Sequence, residues 1–240
     1  MRKFLSFLIL LLCTGMSARA EGETAYAVWC SANSTLYFTY TADAITAGGT
    51  FTPADGSGAQ TVTNVWSGTA VTASSSTPAW NSTVRGSVTT AVIEPSFADV
   101  RPTTTRAWFY NMSKLTAING LSNLNTSEVT NMAYMFSQCS LLETLTLPSW
   151  QNPNVTDMSY MFYNSSKLAT LSLTGFATPA ATTMQSMFDG CKALVAVDLS
   201  GFNTASVTSM RGMFYNCQKL TSLSLTHFKR AAELNPDNET

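Results

Sequence analysis

One apolar pattern returns every 26 residues through the second half of the chain. Met132, Met158, Met184 and Met210 keep that step, as do Met135, Met161, Met187 and Met213, and Phe136, Phe162, Phe188 and Phe214. The next column reads Cys139, Ser165, Cys191, Cys217. Three leucine-type columns follow: Leu142, Leu168, Leu194, Leu220; Leu145, Leu171, Val197, Leu223; and Leu147, Leu173, Leu199, Leu225. An aromatic closes each unit at Trp150, Phe176, Phe202 and Phe228. Eight columns over four consecutive copies exclude coincidence and require stacked like units, because one such unit cannot bury its apolar side alone. A degenerate first copy, set off by a step of 27, contains Phe109, Met112, Leu115 and Ile118, with Trp108 where the second Met belongs, which makes five rungs.

Two periodicities alternate inside a unit. Val129, Met132, Met135, Phe136 and Cys139 fall at helical spacing, with Thr126 or Ser127 as N-cap. Leu142, Leu145 and Leu147 then predict a short strand with its leucines inward. Helix, turn, strand, turn predicts an α/β solenoid, a right-handed leucine-rich-repeat stack of about five rungs over residues 101–228. Residues 21–100 read instead as a small β-rich cap. Within it, AYAVWCSANSTLYFTYT is a hairpin around Ser31 to Thr35, TVTNVWSGTAVTA and SVTTAVIEP are strands, and SSSTPAWNS is a loop.

The first 20 residues carry an address. Arg2 and Lys3 precede the apolar run Phe4 to Leu12, and Ala18-Arg19-Ala20 supplies a small-residue cleavage site. The run is too short to span a bilayer core of about 30 Å, so a signal peptide cleaved after Ala20 is expected, with a secreted or cell-surface protein beginning at Glu21. Lipidation at Cys13 is the weaker alternative, since Leu12 is bulky for such a site. Only 11% of residues are charged and the net charge is -1, so nothing in the composition attracts nucleic acid.

NTSEVTNMAYMFSQCSLLETLTLPSW, followed by NVTDMSYMFYNSSKLATLSLTGF, resembles the BspA-like class of bacterial leucine-rich-repeat surface proteins. The entry segment PSFADVRPTTTRAWFYNMSKLTAINGLSNLNTSEVTNM is similar to the entry into their repeats. The resemblance covers roughly residues 90 to 228 and is looser over 24 to 90. It implies an exported or surface-attached binding protein, with adhesion to host matrix proteins, epithelial cells or other bacteria. The tail 229–240, KRAAELNPDNET, departs from the repeat and offers either a covering helix or a truncated end.

Chemistry is sparse. A copper site in the Met and Phe columns would need convergence, whereas these columns recur regularly as packing does. Cys139, Cys191 and Cys217 read as small buried groups, with a Cys191–Cys217 disulfide between adjacent rungs as the alternative. His227 is the lone histidine, and no HExxH, phosphate loop or paired zinc-ligand motif occurs, so no enzyme, cofactor or metal is expected.

Function then falls to the surface. One set of candidate contacts is Tyr110, Tyr134, Tyr160, Tyr163 and Tyr215, with Asn164 and Asn216 beside them. The other is the outward strand column Thr146, Ser172, Asp198 and Ser224, small and weakly charged. An adhesion or recognition module with a protein partner fits these columns. A carbohydrate-binding protein using hydroxyl ladders and a self-associating envelope component are the alternatives. Seven Asn-x-Ser/Thr sequons, among them Asn33, Asn81 and Asn164, matter only in a glycosylating host.

Overall fold

Alternation along the first hairpin decides how the N-terminal half is built. The structure is a computed structural model that describes residues 22–225 and 228, apart from residue 75. The expected signal peptide with Cys13, the residue His227 and the tail 229–240 lie outside the described residues. Strands β1 (Thr24–Cys30) and β2 (Thr35–Thr41) pair antiparallel, Cys30 opposite Thr35, around the expected turn. Leu36 and Phe38 face the main core with Trp29, while Tyr37 joins Val28, Cys30 and Phe51 in a second cluster. Both faces of β2 are therefore covered over most of its length.

Strand β3 (Thr50–Phe51) pairs with β4 (Gln60–Thr61), and β5 (Asn64–Ser67) lies along β1. Two short helices follow, α1 (Thr69–Thr72) and α2 (Ala79–Val84). The second replaces the loop expected at SSSTPAWNS, because Trp80, Asn81 and Val84 bury one side of that turn. Strand β6 (Thr90–Ile93) is parallel to β2, and β7 (Ala117–Asn119) is parallel to β6, completing a sheet ordered β5-β1-β2-β6-β7. Since β7 belongs to the first repeat, this sheet crosses residue 100, and one core runs from Ala25 to Met213.

The repeats overturn the expected α/β leucine-rich-repeat solenoid. Among the described residues no repeat contains an α-helix; the molecule is β-rich, with mixed sheets. The stretch expected to be helical, Val129 to Cys139, is a pair of tight turns. Tyr134 and Gln138 both have positive φ, 61° and 59°, which no α-helix contains. The same two columns are left-handed in the other copies: Ala107 and Asn111, Tyr160 and Asn164, Ser186 and Gly190, Gly212 and Asn216. A left-handed residue every fourth position reverses the chain twice and returns apolar side chains to one side, which is why the spacing imitates a helix. Thr126 accordingly caps nothing; it is buried, and its carbonyl accepts Val129 N–H across a turn.

Hydrogen bonds in this stretch run between rungs. The N–H groups of Met132, Tyr134, Phe136 and Gln138 donate to the carbonyls of Asp157, Ser159, Met161 and Tyr163 at 2.7–3.1 Å. Met158, Tyr160, Phe162 and Asn164 repeat this toward the next rung, and Met184, Ser186, Phe188 and Gly190 toward the last. In this ladder of turns the donors always lie upstream of their acceptors. A threonine column, Thr130, Thr156, Thr182 and Thr208, adds a second ladder in which both N–H and Oγ1 donate to the carbonyl one rung back.

The leucine strands contribute less pairing than expected. β8 (Thr144–Thr146) pairs in parallel with β9 (Thr170–Ser172), and β10 (Ala196–Val197) with β11 (Ser222–Leu223), as two separate ribbons. Between turn ladder and strands the core holds a stacked phenylalanine spine. Phe109, Phe136, Phe162, Phe188 and Phe214 follow one another at 5.4–5.6 Å with interplanar angles of 5–12°. The methionine columns pack beside it, buried except for Met210 in the last rung.

Candidate functional site

The left-handed positions select small or amide side chains, and two tyrosines break that preference. Glycine occupies them at Gly190 and Gly212, where a side chain is otherwise strained, and Asn at Asn111, Asn164 and Asn216, because Asn tolerates this backbone well. Asn164 and Asn216 are thus accounted for by backbone geometry. Tyr134 (φ 61°) and Tyr160 (φ 60°) are bulky residues in a conformation that costs roughly 1–3 kcal/mol. Later copies hold Ser186 and Gly212 in that same column.

These two rings stack on each other, centroids 4.8 Å apart and 9° from parallel. Tyr110 meets the edge of Tyr134 at 6.0 Å, and Tyr163 meets Tyr160 at 5.6 Å. The Arg106 guanidinium lies 4.9 Å from the Tyr134 ring centre, a cation–π contact on the upstream side. Gln185 Nε2 donates to the Tyr160 hydroxyl at 2.9 Å, and Gln138 Nε2 to that of Tyr110 at 3.4 Å. All four tyrosines are half-buried, so each offers a fixed ring face or edge with a wet hydroxyl. Burial, and then the neighbouring Tyr160, raise the pKa of the Tyr134 phenol. A depression of about 260 Å³ opens beside them between Thr77, Arg106, Ala107, Tyr110 and Tyr134.

Four of the five expected tyrosines are therefore brought together. Tyr215 is set apart in the last rung, two rungs beyond Tyr163 with Asp189 between them in the column, and is 71% exposed. The strand column, Thr146, Ser172, Asp198 and Ser224, lies on β8 to β11 or next to them and is mostly exposed; Ser172 Oγ meets Thr174 Oγ1 at 3.3 Å. Arg106, Gln138 and Gln185 belong to the site, yet nothing in the repeat pattern singles them out; only the odd Arg before Ala107 hints at them.

The cysteine column has a hydrogen-bonding role. Cys191 and Cys217 are free thiols, so the alternative of a disulfide between them is not realised. Cys139 Sγ donates to the Phe109 carbonyl at 3.2 Å, Cys191 Sγ to Phe162 at 3.2 Å, and Cys217 Sγ to Phe188 at 3.1 Å. Ser165 Oγ does the same to Phe136 at 2.7 Å. Each side chain thus supplies a donor to a phenylalanine carbonyl one rung back, which explains why Ser and Cys interchange. Burial pushes the Cys139 thiol up to about 12 and Cys217 to about 11, and raises Cys191 still further. Such thiols are neither nucleophiles nor ready metal ligands. Among the described residues no cluster of His, Cys, Asp and Glu fit for a metal occurs, and no helix is long and apolar enough to cross a membrane.

The family described as "Mycoplasma protein of unknown function, DUF285" matches residues 103–228, which include all five rungs and the tyrosine cluster. The chain belongs to that family. No curated protein and no solved structure matches it.

Proposed function

Starting from that membership, we propose that the chain is an exported recognition protein whose contact surface is the ledge formed by Tyr110, Tyr134, Tyr160, Tyr163 and Arg106. One observation carries the reading. Tyr134 and Tyr160 hold a backbone conformation that Gly212 occupies without strain in the last copy, and what the strain gains is a pair of rings stacked at 4.8 Å on the surface. Rigid, half-exposed Tyr beside Arg is the usual chemistry of protein recognition hot spots. The likeness to BspA-like surface proteins and the export signal expected at residues 1–20 support a partner outside the cell, either a host matrix protein or another bacterial surface.

The test is binding of the mature chain from Glu21 to a panel of matrix proteins, epithelial cells, bacterial cells and glycans. Replacing Tyr134 and Tyr160 together by Ser, the residue of a later copy, should weaken binding at least tenfold while the circular dichroism spectrum stays unchanged. Unaltered binding would remove the ledge from the reading. Binding to glycans alone would replace the protein partner by a carbohydrate.

A further inference from the structure

The depression beside the tyrosine ledge is rich in donors and poor in acceptors. Thr77, Arg106, Ala107, Tyr110 and Tyr134 line it, and Arg106 is the one charged residue among them. The cation–π contact with Tyr134, at 4.9 Å, positions the guanidinium without using any of its N–H groups. Among the described residues those groups meet neither a hydrogen-bond acceptor nor a carboxylate; only the backbone N–H of Arg106 donates, to Thr104 Oγ1 at 3.1 Å. A half-buried Arg106 thus keeps its fork of side-chain donors for a ligand.

Two glutamines bias the tyrosines in the same sense. Gln138 Nε2 donates to the Tyr110 hydroxyl at 3.4 Å and Gln185 Nε2 to that of Tyr160 at 2.9 Å. Each phenol oxygen is therefore engaged as an acceptor, and its own O–H is left to donate. Asp157, whose charge reaches Tyr134, spends its oxygens inside the ladder: Oδ2 accepts from Asn131 Nδ2 at 3.3 Å and Oδ1 from the Ser159 N–H at 2.9 Å.

The complement of such a surface is an acceptor with a single negative charge. A carboxylate fits, because its two oxygens match the guanidinium fork and still accept from a phenol. One cation does not hold a polyanion, and the chain carries a net charge of -1, so nucleic acid and densely sulfated chains gain nothing here. The neighbouring rings of Tyr134, Tyr160 and Tyr163 supply apolar faces and edges for the residues on either side of an acidic one.

We propose that the ledge recognises an Asp or Glu side chain of its protein partner, with Arg106 pairing with the carboxylate, Tyr110 donating to it, and Gln138 holding the Tyr110 hydroxyl as a donor. This rests on the recognition surface argued above and assigns the chemistry of what that surface takes.

Sorting a displayed library of random dodecapeptides against the chain 21–240 tests it. Selected peptides should share an Asp or Glu beside an aliphatic or aromatic residue, and exchanging that acid for its amide in a synthetic copy should weaken binding at least tenfold. Arg106→Gln and Gln138→Glu should each bind the acidic peptide at least tenfold more weakly, with circular dichroism spectra unchanged. Arg106→Gln should no longer distinguish acid from amide, and Arg106→Lys should recover part of the preference. Peptides selected without an acid, or an acid preference that survives Arg106→Gln, would overturn the proposal; the ledge itself would stand if their binding still fell when Tyr134 and Tyr160 are replaced by Ser. Selection of no peptide, or of peptides indifferent to the tyrosines and to Arg106 alike, would overturn ledge and proposal together. Binding of sialylated glycans in place of peptides would overturn the proposal as well, by putting the carboxylate on a sugar.

Discussion

Ser165 donates its hydroxyl hydrogen to the carbonyl of Phe136, 2.7 Å away and one rung upstream. Both groups are sealed from water, so the bond has no substitute. Replacing Ser165 by Ala should cost about 1–3 kcal/mol, read as a fall in urea midpoint, because the carbonyl is left unpaired in the core. Replacing it by Cys, the residue of the other rungs, should cost well under half as much. Equal losses for the two variants would mean that volume, and not the donor, governs this column.

The cysteine column gives the fold a high-pH limit. The folded pKa of Cys139, about 12, stands above its unfolded reference of 9.0 because burial disfavours the thiolate. The stabilisation is therefore complete below pH 9 and is lost as pH rises toward 12. Stability should fall there by about 1.4 kcal/mol per pH unit for this thiol. A Cys139→Ser variant should show a visibly flatter profile in urea titrations across that window, and an unchanged slope would contradict the assignment.

Gly190 has φ +75°, and an added Cβ would collide with the side-chain oxygen of Asn164 in the rung before. Gly190→Ala should lower stability by about 2–4 kcal/mol, combining backbone strain with that clash. Gly56, at φ +81° with open space around it, supplies the comparison. Gly56→Ala should cost only about 1 kcal/mol, and melting temperatures of the two variants should separate accordingly.

Tyr160→Asn should change stability by less than about 1 kcal/mol, although it removes a ring from a stack. The partial relief of left-handed strain, which Asn tolerates better than an aromatic, offsets the loss of ring contacts with Tyr134 and Tyr163, roughly 1–2 kcal/mol, and of the half-buried Gln185 hydrogen bond. Denaturant unfolding measures this directly. A large destabilisation would make the tyrosine a structural part of the stack and weaken the case for a contact surface.

These residues show what the sequence could and could not disclose. The Met, Phe and Leu columns were legible because burial imposes the 26-residue step on them, and every column up to the last rung is in the core. The helix was not legible as an error from apolar spacing alone: Met132, Met135, Phe136 and Cys139 sit at i, i+3, i+4 and i+7 on a helix and on this double turn alike. The discriminating signal lay between them, in Gly190, Gly212, Asn111, Asn164 and Asn216, residues that suit left-handed backbone and disfavour a helix interior. The loop expected at SSSTPAWNS hid Trp80 and Asn81, whose partners are 28 and 29 residues away and leave no local trace. The tyrosines were visible as columns, but their clustering with Arg106 depends on how rungs superimpose. Tyr215, in the same column as Tyr110 and Tyr163, shows that column membership alone does not make a cluster.

The one-way ladder separates the length of this molecule from its recognition surface. Along the turn ladder every interior rung offers carbonyls upstream and N–H groups downstream, and along the threonine ladder the reverse, so an extra unit inserted between Thr182 and Thr183 would meet the same partners as the units it displaces. Tyr110, Tyr134, Tyr160 and Tyr163 all lie upstream of that junction, while the Gln185 hydrogen bond to Tyr160 lies across it. Duplication or loss of whole units past that first downstream neighbour would alter the reach of the protein and leave its aromatic ledge intact.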